Sequence, residues 1–329
     1  MVTTRQFTKG VVRTMRAMDR AAKQAERQRV AQQQALHRQA HLDASSRAAA
    51  EYEEIIGALT GAHRTGLVSR DWRAIATSPP VPDPVRRNDE ELAAEARLSA
   101  YRAGWMTRVL GREERVRQAL QDEIVSARAR DDAAHSAQQA AAARRNAEIR
   151  TAQRVVERDP DAMVRVLEEH SALGALPFSV EGVDTMFLDG RVIAVVDGLD
   201  LEDMPEESIT LLKSGKASVK SLQLGRRYEI HRDTICSAAV RVALEFLSVL
   251  PIDEVEVLML TDILDRATGH IEARPVLHLR VAAQAVRALN LARTEAPALV
   301  ERLGGHKDWS KREGFRALNP AAFGIDLAA

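Results

Sequence analysis

The chain has 329 residues with 47 basic and 47 acidic side chains, so its formal net charge of +0 excludes the chain-wide basic field of a protein that coats nucleic acid. Its single cysteine, Cys236, excludes an internal disulfide and a cysteine-rich zinc site and suits a reducing compartment. Aromatic residues make up only 4% and charged residues 29%, which points to much solvated, alanine-rich helix beside a core large enough for two domains.

No stretch approaches the roughly 18 uncharged apolar residues of a membrane span, and the start of the chain lacks the apolar block of a secretory signal. A cytoplasmic protein without membrane contact is therefore expected. The charge is uneven: residues 1–50 hold ten Lys or Arg against Asp19, Glu26 and Asp43, whereas residues 181–207 hold nine acids against Arg191 alone.

From Thr3 to about Leu59 there is no proline, and Ala, Gln, Arg and Glu dominate, which predicts one long basic helix. Val11, Met15, Met18, Ala22 and Ala25 step by four and three as a coiled-coil seam does. Gly57, Gly61 and Gly66 are expected to end it, followed by a short turn of helix at Asp71, Trp72 and Ile75. Pro79, Pro80, Pro82 and Pro84 exclude helix and read as an extended connector. Helix resumes near Asn88, where Asp89, Glu90 and Glu91 suit the N-terminal dipole. A second arm is predicted from about Arg112 to Arg158, interrupted by Asp159 and Pro160 and followed by a short helix to His170. Arms of this length would extend about 70–85 Å and need a partner, either each other or another subunit.

Beyond Gly174 and Pro177 the texture becomes α+β. Phe178–Asp184 and Arg191–Asp197 read as a hairpin turned by Asp189 and Gly190. Glu229–Leu250 reads as a helix with an apolar face, stopped by Pro251. Glu254–Leu260 and His270–Val281 read as strands, the second with Ile271, Ala273, Pro275, Leu277, Leu279 and Val281 on one face and His270, Glu272, Arg274, His278 and Arg280 on the other. Pro275 favours an edge or an end. Helices from about Ala282 to Leu291 and from Glu295 to Leu303 close the domain. The expected fold class is α+β: a long helical coiled-coil hairpin followed by a mixed domain with antiparallel strands. Its parts are 1–59, a basic arm; 60–110, a helical head with the proline-rich connector; 111–172, a second arm; and 173–329, the α+β domain.

Candidate chemistry is sparse. His270 and Glu272 form an H-x-E pattern, but the P-C-x-x-C half of the zinc deaminase signature is missing, and His278 lies about 26 Å further along an extended strand. Ser214, Gly215 and Lys216 are not a Walker loop, because Thr210 and Ala217 occupy positions that require Gly and Ser or Thr. Lys213, Lys216 and Lys220 can still form a small basic patch at a structural turn. Cys236 reads as a buried structural thiol on a helix, facing away from His231. Arg241 and Glu245 are spaced to pair on one helix. Trp309, Lys311 and Arg312 near Phe315 have the composition of a base-stacking, phosphate-neutralising tail. No metal site and no cofactor is expected.

Asp71-Trp72 with Ile75 and Pro79-Pro80, Ser214-Gly215-Lys216 with Ser218 and Lys220, and Tyr228 recur together with Cys236-Ser237, Arg241, Ala243 and Glu245. Leu250-Pro251, Thr268-Gly269-His270 with Glu272, and Gly314-Phe315 complete the pattern. Over most of residues 60–316 the chain resembles an uncharacterised bacterial family of coiled-coil proteins with a C-terminal α+β domain. Several members carry an additional small β-rich N-terminal module, in whose place this chain has a longer arm. The resemblance implies architecture and a bacterial, cytoplasmic setting, and it carries no established activity.

The expected function is that of an interaction or scaffold protein: helical arms for homo-oligomerisation or partner binding joined to an α+β recognition domain, with a bacterial stress or defence locus as one setting. The alternative is a nucleic-acid-binding or nucleic-acid-hydrolysing protein. There His270, Glu272 and Arg241 would act near a phosphate held by Lys216 or Lys220, with Lys311, Arg312 and Trp309 holding the polymer. Non-enzymatic action is favoured because no catalytic motif is present.

Overall fold

A computed structural model describes residues 38–64, 69–175, 180–264 and 268–326. The seam at Val11, Met15 and Met18 and most of the first predicted arm lie outside the described residues. The remainder is α+β, with helices early and strands late. Among the described residues no helix is long and apolar enough to cross a membrane.

The chain forms two compact units that interleave in sequence: Met1–Leu67 with Ala172–Glu245 and Asp253–Ala329, and Val68–Ser171 with Phe246–Ile252.

The second unit is built on one long helix. Helix α1 covers residues 38–61 and belongs to the first unit; Gly57 sits inside it and does not end it. In the second unit follow α2 (Trp72–Ala76), α3 (Asp89–Ala100), α4 (Trp105–Val109), α5 (Glu113–Val156) and α6 (Pro160–His170). Helix α5 occupies most of the span read as a second arm, and α2, α3 and α6 pack on it. Asp159 accepts from Ala162 N at 2.9 Å and Pro160 takes the first helical position, so the Asp-Pro break acts as an N-cap for α6.

Two polar side chains of α5 place the preceding segment. Asp131 is buried and accepts from the amides of Glu91 (2.9 Å) and Glu90 (3.4 Å), capping α3 from another helix where Asn88 makes no side-chain cap. Asn146 brackets Val81 in the proline connector, accepting from its N–H at 2.7 Å and donating to its carbonyl at 2.8 Å. Trp72, 1% exposed, donates its indole N–H to the Val249 carbonyl, and Arg70 lies over its ring at 4.8 Å. Arg70 N also donates to Ser248 O at 3.3 Å, which explains why Phe246–Ile252 joins this unit.

The first unit centres on a six-stranded sheet in the order β1-β2-β5-β6-β7-β8, with β3 and β4 in a separate hairpin. The strands are β1 (Val180–Leu188), β2 (Arg191–Gly198), β3 (Glu207–Leu211), β4 (Ala217–Ser221), β5 (Glu254–Leu264), β6 (Ile271–Ala282), β7 (His306–Ser310) and β8 (Gly314–Arg316). Asp189 and Gly190 turn β1 into β2 with φ of 49° and 77°, the pair of left-handed residues that a two-residue hairpin requires. β2 and β5 run parallel, joined through the small hairpin and α7 (Leu224–Val249); the other pairs in the sheet are antiparallel.

Alternation along β2 separates two layers. Ala194, Val196 and Gly198 face α7, and Gly198 is glycine for a reason: a Cβ there would stand 2.6 Å from Ile235 Cδ1. On the opposite face Ile193, Leu258 and Ile325 form a cluster capped by the C-terminal residues around Phe323.

Several expectations change. The β3–β4 hairpin turns at Gly215 (φ 78°), and the Trp309 region is the β7–β8 hairpin; both were read from sequence as a turn or tail, since their strands are too short to show a period. The N-terminal half of β6 is exposed on both faces from Ile271 to Arg274. There β5 and β6 project as a two-stranded ribbon, because β2 pairs with β5 only as far as Leu260 and β7 pairs with β6 only at Leu277 and His278. Pro275 lies where β7 does not reach β6, so this stretch is an edge as expected, beside the irregularity at Met259/Leu260. Finally, helices α8 (Ala283–Arg287) and α9 (Ala296–Arg302) are shorter than predicted.

Candidate functional site

The residues singled out from sequence are dispersed. Arg241 is 2% exposed inside α7 and pairs with Glu245 at 2.8 Å, while Glu245 also accepts from Ala172 N at 2.6 Å. His270 and Glu272 lie exposed at the mouth of the β5–β6 ribbon, with Glu272 paired to Arg274. Lys216 and Lys220 are exposed on the β3–β4 hairpin. Lys311 is held by Glu229 at 2.6 Å, Arg312 is exposed in the β7–β8 turn, and one face of Trp309 is occupied by the Arg232 guanidinium, 4.4 Å from the ring centroid. His270 and Glu272 are exposed, whereas Arg241 is buried.

Burial pushes the Cys236 thiol up to about 12, so it stays protonated and unreactive at neutral pH. His231 is held below its ordinary value, chiefly by burial, and its Nε2 lies 2.9 Å from the Leu199 carbonyl.

What the fold does assemble is a cleft of about 550 Å³ on the sheet face opposite α7. Its floor comes from alternate residues of adjacent strands: Glu254 and Glu256 on β5, and His278 and Arg280 on β6. Arg191 at the start of β2, Arg302 at the end of α9, His306 on β7 and Phe323 complete its charged and aromatic wall.

Glu256, 3% exposed, is the centre of the polar network. It accepts from Arg191 Nη1 at 3.3 Å and lies 3.2 Å from His278 Nε2. Arg191 also donates to the carbonyls of Phe323 (3.2 Å) and Gly324 (3.0 Å), tying the C-terminal residues to the network. Glu254 is engaged by Arg280 at 2.6 Å. Both carboxylates in the cleft are therefore neutralised by their own arginines. Arg302 has no ion-pair partner among the described residues.

His278 stacks on Phe323 at 4.1 Å with an interplanar angle of 14°, and His306 flanks both rings. Burial holds the His278 imidazole below its ordinary value against the opposing pull of Glu256, so the ring is neutral near pH 7. A carboxylate can only accept, so the proton of the neutral ring belongs on Nε2 and Nδ1 is left as an acceptor. That Nδ1 is buried and has no partner, a deficit worth on the order of 1–3 kcal/mol.

The i, i+2 polar pairs Glu254/Glu256 and His278/Arg280, each set among Val and Leu residues, are the sequence signal for this cleft. Reading His278 only against His270 and Glu272 on its own strand misses it, because its partners lie on neighbouring strands.

A second charged group gathers beyond the carboxyl ends of the parallel strands β2 and β5. Asp200 accepts from Thr261 Oγ1 and Asp262 N, both at 2.7 Å. The Asp197 carboxyl is pushed up, first by burial and then by Asp200, Asp262 and Asp184. Among the described residues no group of three or more His, Cys, Asp or Glu is placed to hold a metal ion.

A raised folded value means that the stability associated with Asp197 is greatest below the unfolded carboxylate range and is lost as pH rises through the folded value. Asp197→Asn is therefore expected to raise the thermal midpoint at pH 7. The gain should vanish near about pH 3, where both forms are largely neutral. An unchanged midpoint at pH 7 in low salt would contradict the repulsion.

Comparison with protein families, with curated proteins and with solved structures gives no match for this chain.

Proposed function

We propose that the protein is an interaction protein whose helical unit associates with a second copy of itself, leaving the α+β unit to recognise a ligand. The observation that carries this reading is the apolar surface of α4, where Trp105, Met106, Val109 and Leu110 are 75%, 57%, 76% and 55% exposed.

The charge pattern of α5 supports a self-complementary pairing. Residues 113–132 hold six acids to four arginines, whereas residues 133–156 hold four arginines to the single acid Glu148. Two antiparallel copies of α5 would set each acidic half against a basic half. The alanine-rich centre, with Ala133, Ala134, Ala137, Ala140, Ala141 and Ala143 exposed, permits close helix approach. Because α4 directly precedes α5, its apolar face would then reach the far end of the second helix, where Val156 is 38% exposed. The coiled-coil association expected from sequence is in this form intermolecular.

Sedimentation equilibrium at about 50 µM is expected to show a dimer, a concentration suited to a micromolar interface. The double substitution Trp105→Ser with Val109→Ser should return it to monomer without changing its helical content. A wild-type monomer at that concentration would sink the proposal.

A further inference from the structure

We propose that the cleft between β2, β5, β6 and β7 binds a phosphate monoester of a small, partly flat organic group. The inference is independent of dimerisation, since every lining residue belongs to the α+β unit.

The anion follows from the charge left over. Three arginines line the cleft against two glutamates. Glu254 is taken up by Arg280, and Glu256 by Arg191 and His278. That leaves the exposed Arg302 guanidinium without an ion-pair partner among the described residues, with His306 on the adjoining strand, where its ring makes contacts but no hydrogen bond among the described residues. A planar fork of donors of this kind matches the oxygens of a carboxylate or a phosphate.

His278 distinguishes between those two. Its side chain is 9% exposed, and with Nε2 directed at Glu256 its Nδ1 is an acceptor with no donor to meet it. A carboxylate brings only acceptors. A phosphate monoester, whose second ionisation falls at about pH 6, can retain a P–OH and supply the missing donor once a small turn of the His278 ring opens the buried Nδ1 to the cleft, while its other oxygens face Arg302. A phosphodiester, the linkage of a nucleic acid backbone, has no such proton. The organic part is indicated by size and by the ring wall. About 550 Å³ exceeds the needs of a bare phosphate and falls within the range of small-molecule sites, and Phe323 with His306 offers flat apolar surface beside the charges.

The test is calorimetric titration of the full chain with phenyl phosphate, with benzoate and dimethyl phosphate as the carboxylate and diester controls. Phenyl phosphate is expected to bind at least about tenfold more tightly than either control, the scale of one charge-assisted hydrogen bond. Arg302→Gln, at an exposed position, should weaken it by about 10- to 100-fold while leaving the thermal midpoint unchanged. Phe323→Leu should weaken phenyl phosphate more than inorganic phosphate. No heat with phenyl phosphate up to about 10 mM, where even a weak site would fill, overturns the proposal. So does unchanged affinity in Arg302→Gln, and so does equal binding of dimethyl phosphate.

Discussion

Trp72→Ala is expected to destabilise the helical unit by about 3–5 kcal/mol, the range for removing a large aromatic side chain from a packed core. Trp72 is 1% exposed and links its own segment near the start of that unit, which packs on α5, to Phe246–Ile252, which joins the unit from much later in the chain. Its loss would leave a cavity and also orphan the Val249 carbonyl, which accepts the indole N–H. The Arg70 guanidinium would lose the ring beneath it, and the ring contact with His170, at 5.6 Å, would go as well. Circular dichroism during denaturant titration is the readout, because this unit holds the 44-residue α5 and most of the signal change should follow its melting. Trp72→Phe separates the two contributions: it keeps most of the apolar area and removes the donor, so its cost should be nearer 1–3 kcal/mol. A Trp72→Ala protein as stable as wild type would show that this contact does not hold the unit together.

Arg241→Ala is the second large effect, also about 3–5 kcal/mol, because it leaves the Glu245 carboxylate in a site where water cannot reach it. Glu245 is 3% exposed and Arg241 2%. Replacing both, as Arg241→Met with Glu245→Leu, should recover most of that loss, since apolar residues of similar volume often do as well as a buried pair. Full recovery is not expected, for Ala172 N loses the acceptor that Glu245 supplies at 2.6 Å. A urea titration of the single and double variants measures this directly. If the single substitution costs less than about 1 kcal/mol, the pair behaves as a surface ion pair and its burial does not matter. If the double variant is no better than the single, the pair is required for a reason other than charge compensation.

The pattern of these effects bears on how the α+β unit works. Arg241 acts inside α7, on the face of the sheet remote from the cleft, and it steadies the helix against which Gly198 and its neighbours pack. Arg191, by contrast, links Glu256 to the carbonyls of Phe323 and Gly324, so the charge network of the cleft also holds the C-terminal residues that wall it. Two buried carboxylates, Glu245 and Glu256, thus serve different ends. The first pairs with an arginine four residues away in the same helix, and the second draws charged partners from β2 and β6.

That difference explains what could be read without coordinates. Local rules are enough for the Asp189-Gly190 turn, for the Asp159-Pro160 cap, for α5 as an uninterrupted helix, for the Arg241–Glu245 pair and for the buried Cys236. Each depends on residues within about a turn or a strand of one another, where helix period, turn conformation and capping leave few alternatives. The alternation along β6 was legible only where neighbours flank the strand. From Ile271 to Arg274 the same pattern meets water on both sides, and an alternating sequence carries no record of which strands will stand beside it.

The rest was decided by tertiary structure. Asp131 as a cap for α3 and Asn146 as a clamp on Val81 are contacts across 40 or more residues, and nothing in the local sequence distinguishes those side chains from other polar residues on an exposed helix. The cleft is the clearest case. Glu256, His278, Arg191, Arg302 and His306 are scattered over more than a hundred positions, each unremarkable in its own segment, and only the order β2-β5-β6-β7 sets them around one space. Sequence by itself determined the helices, turns and composition because these follow from interactions between near neighbours. Strand order determined the cleft, since residues distant in sequence share one charged space only when the strands and the helix end that carry them are set side by side.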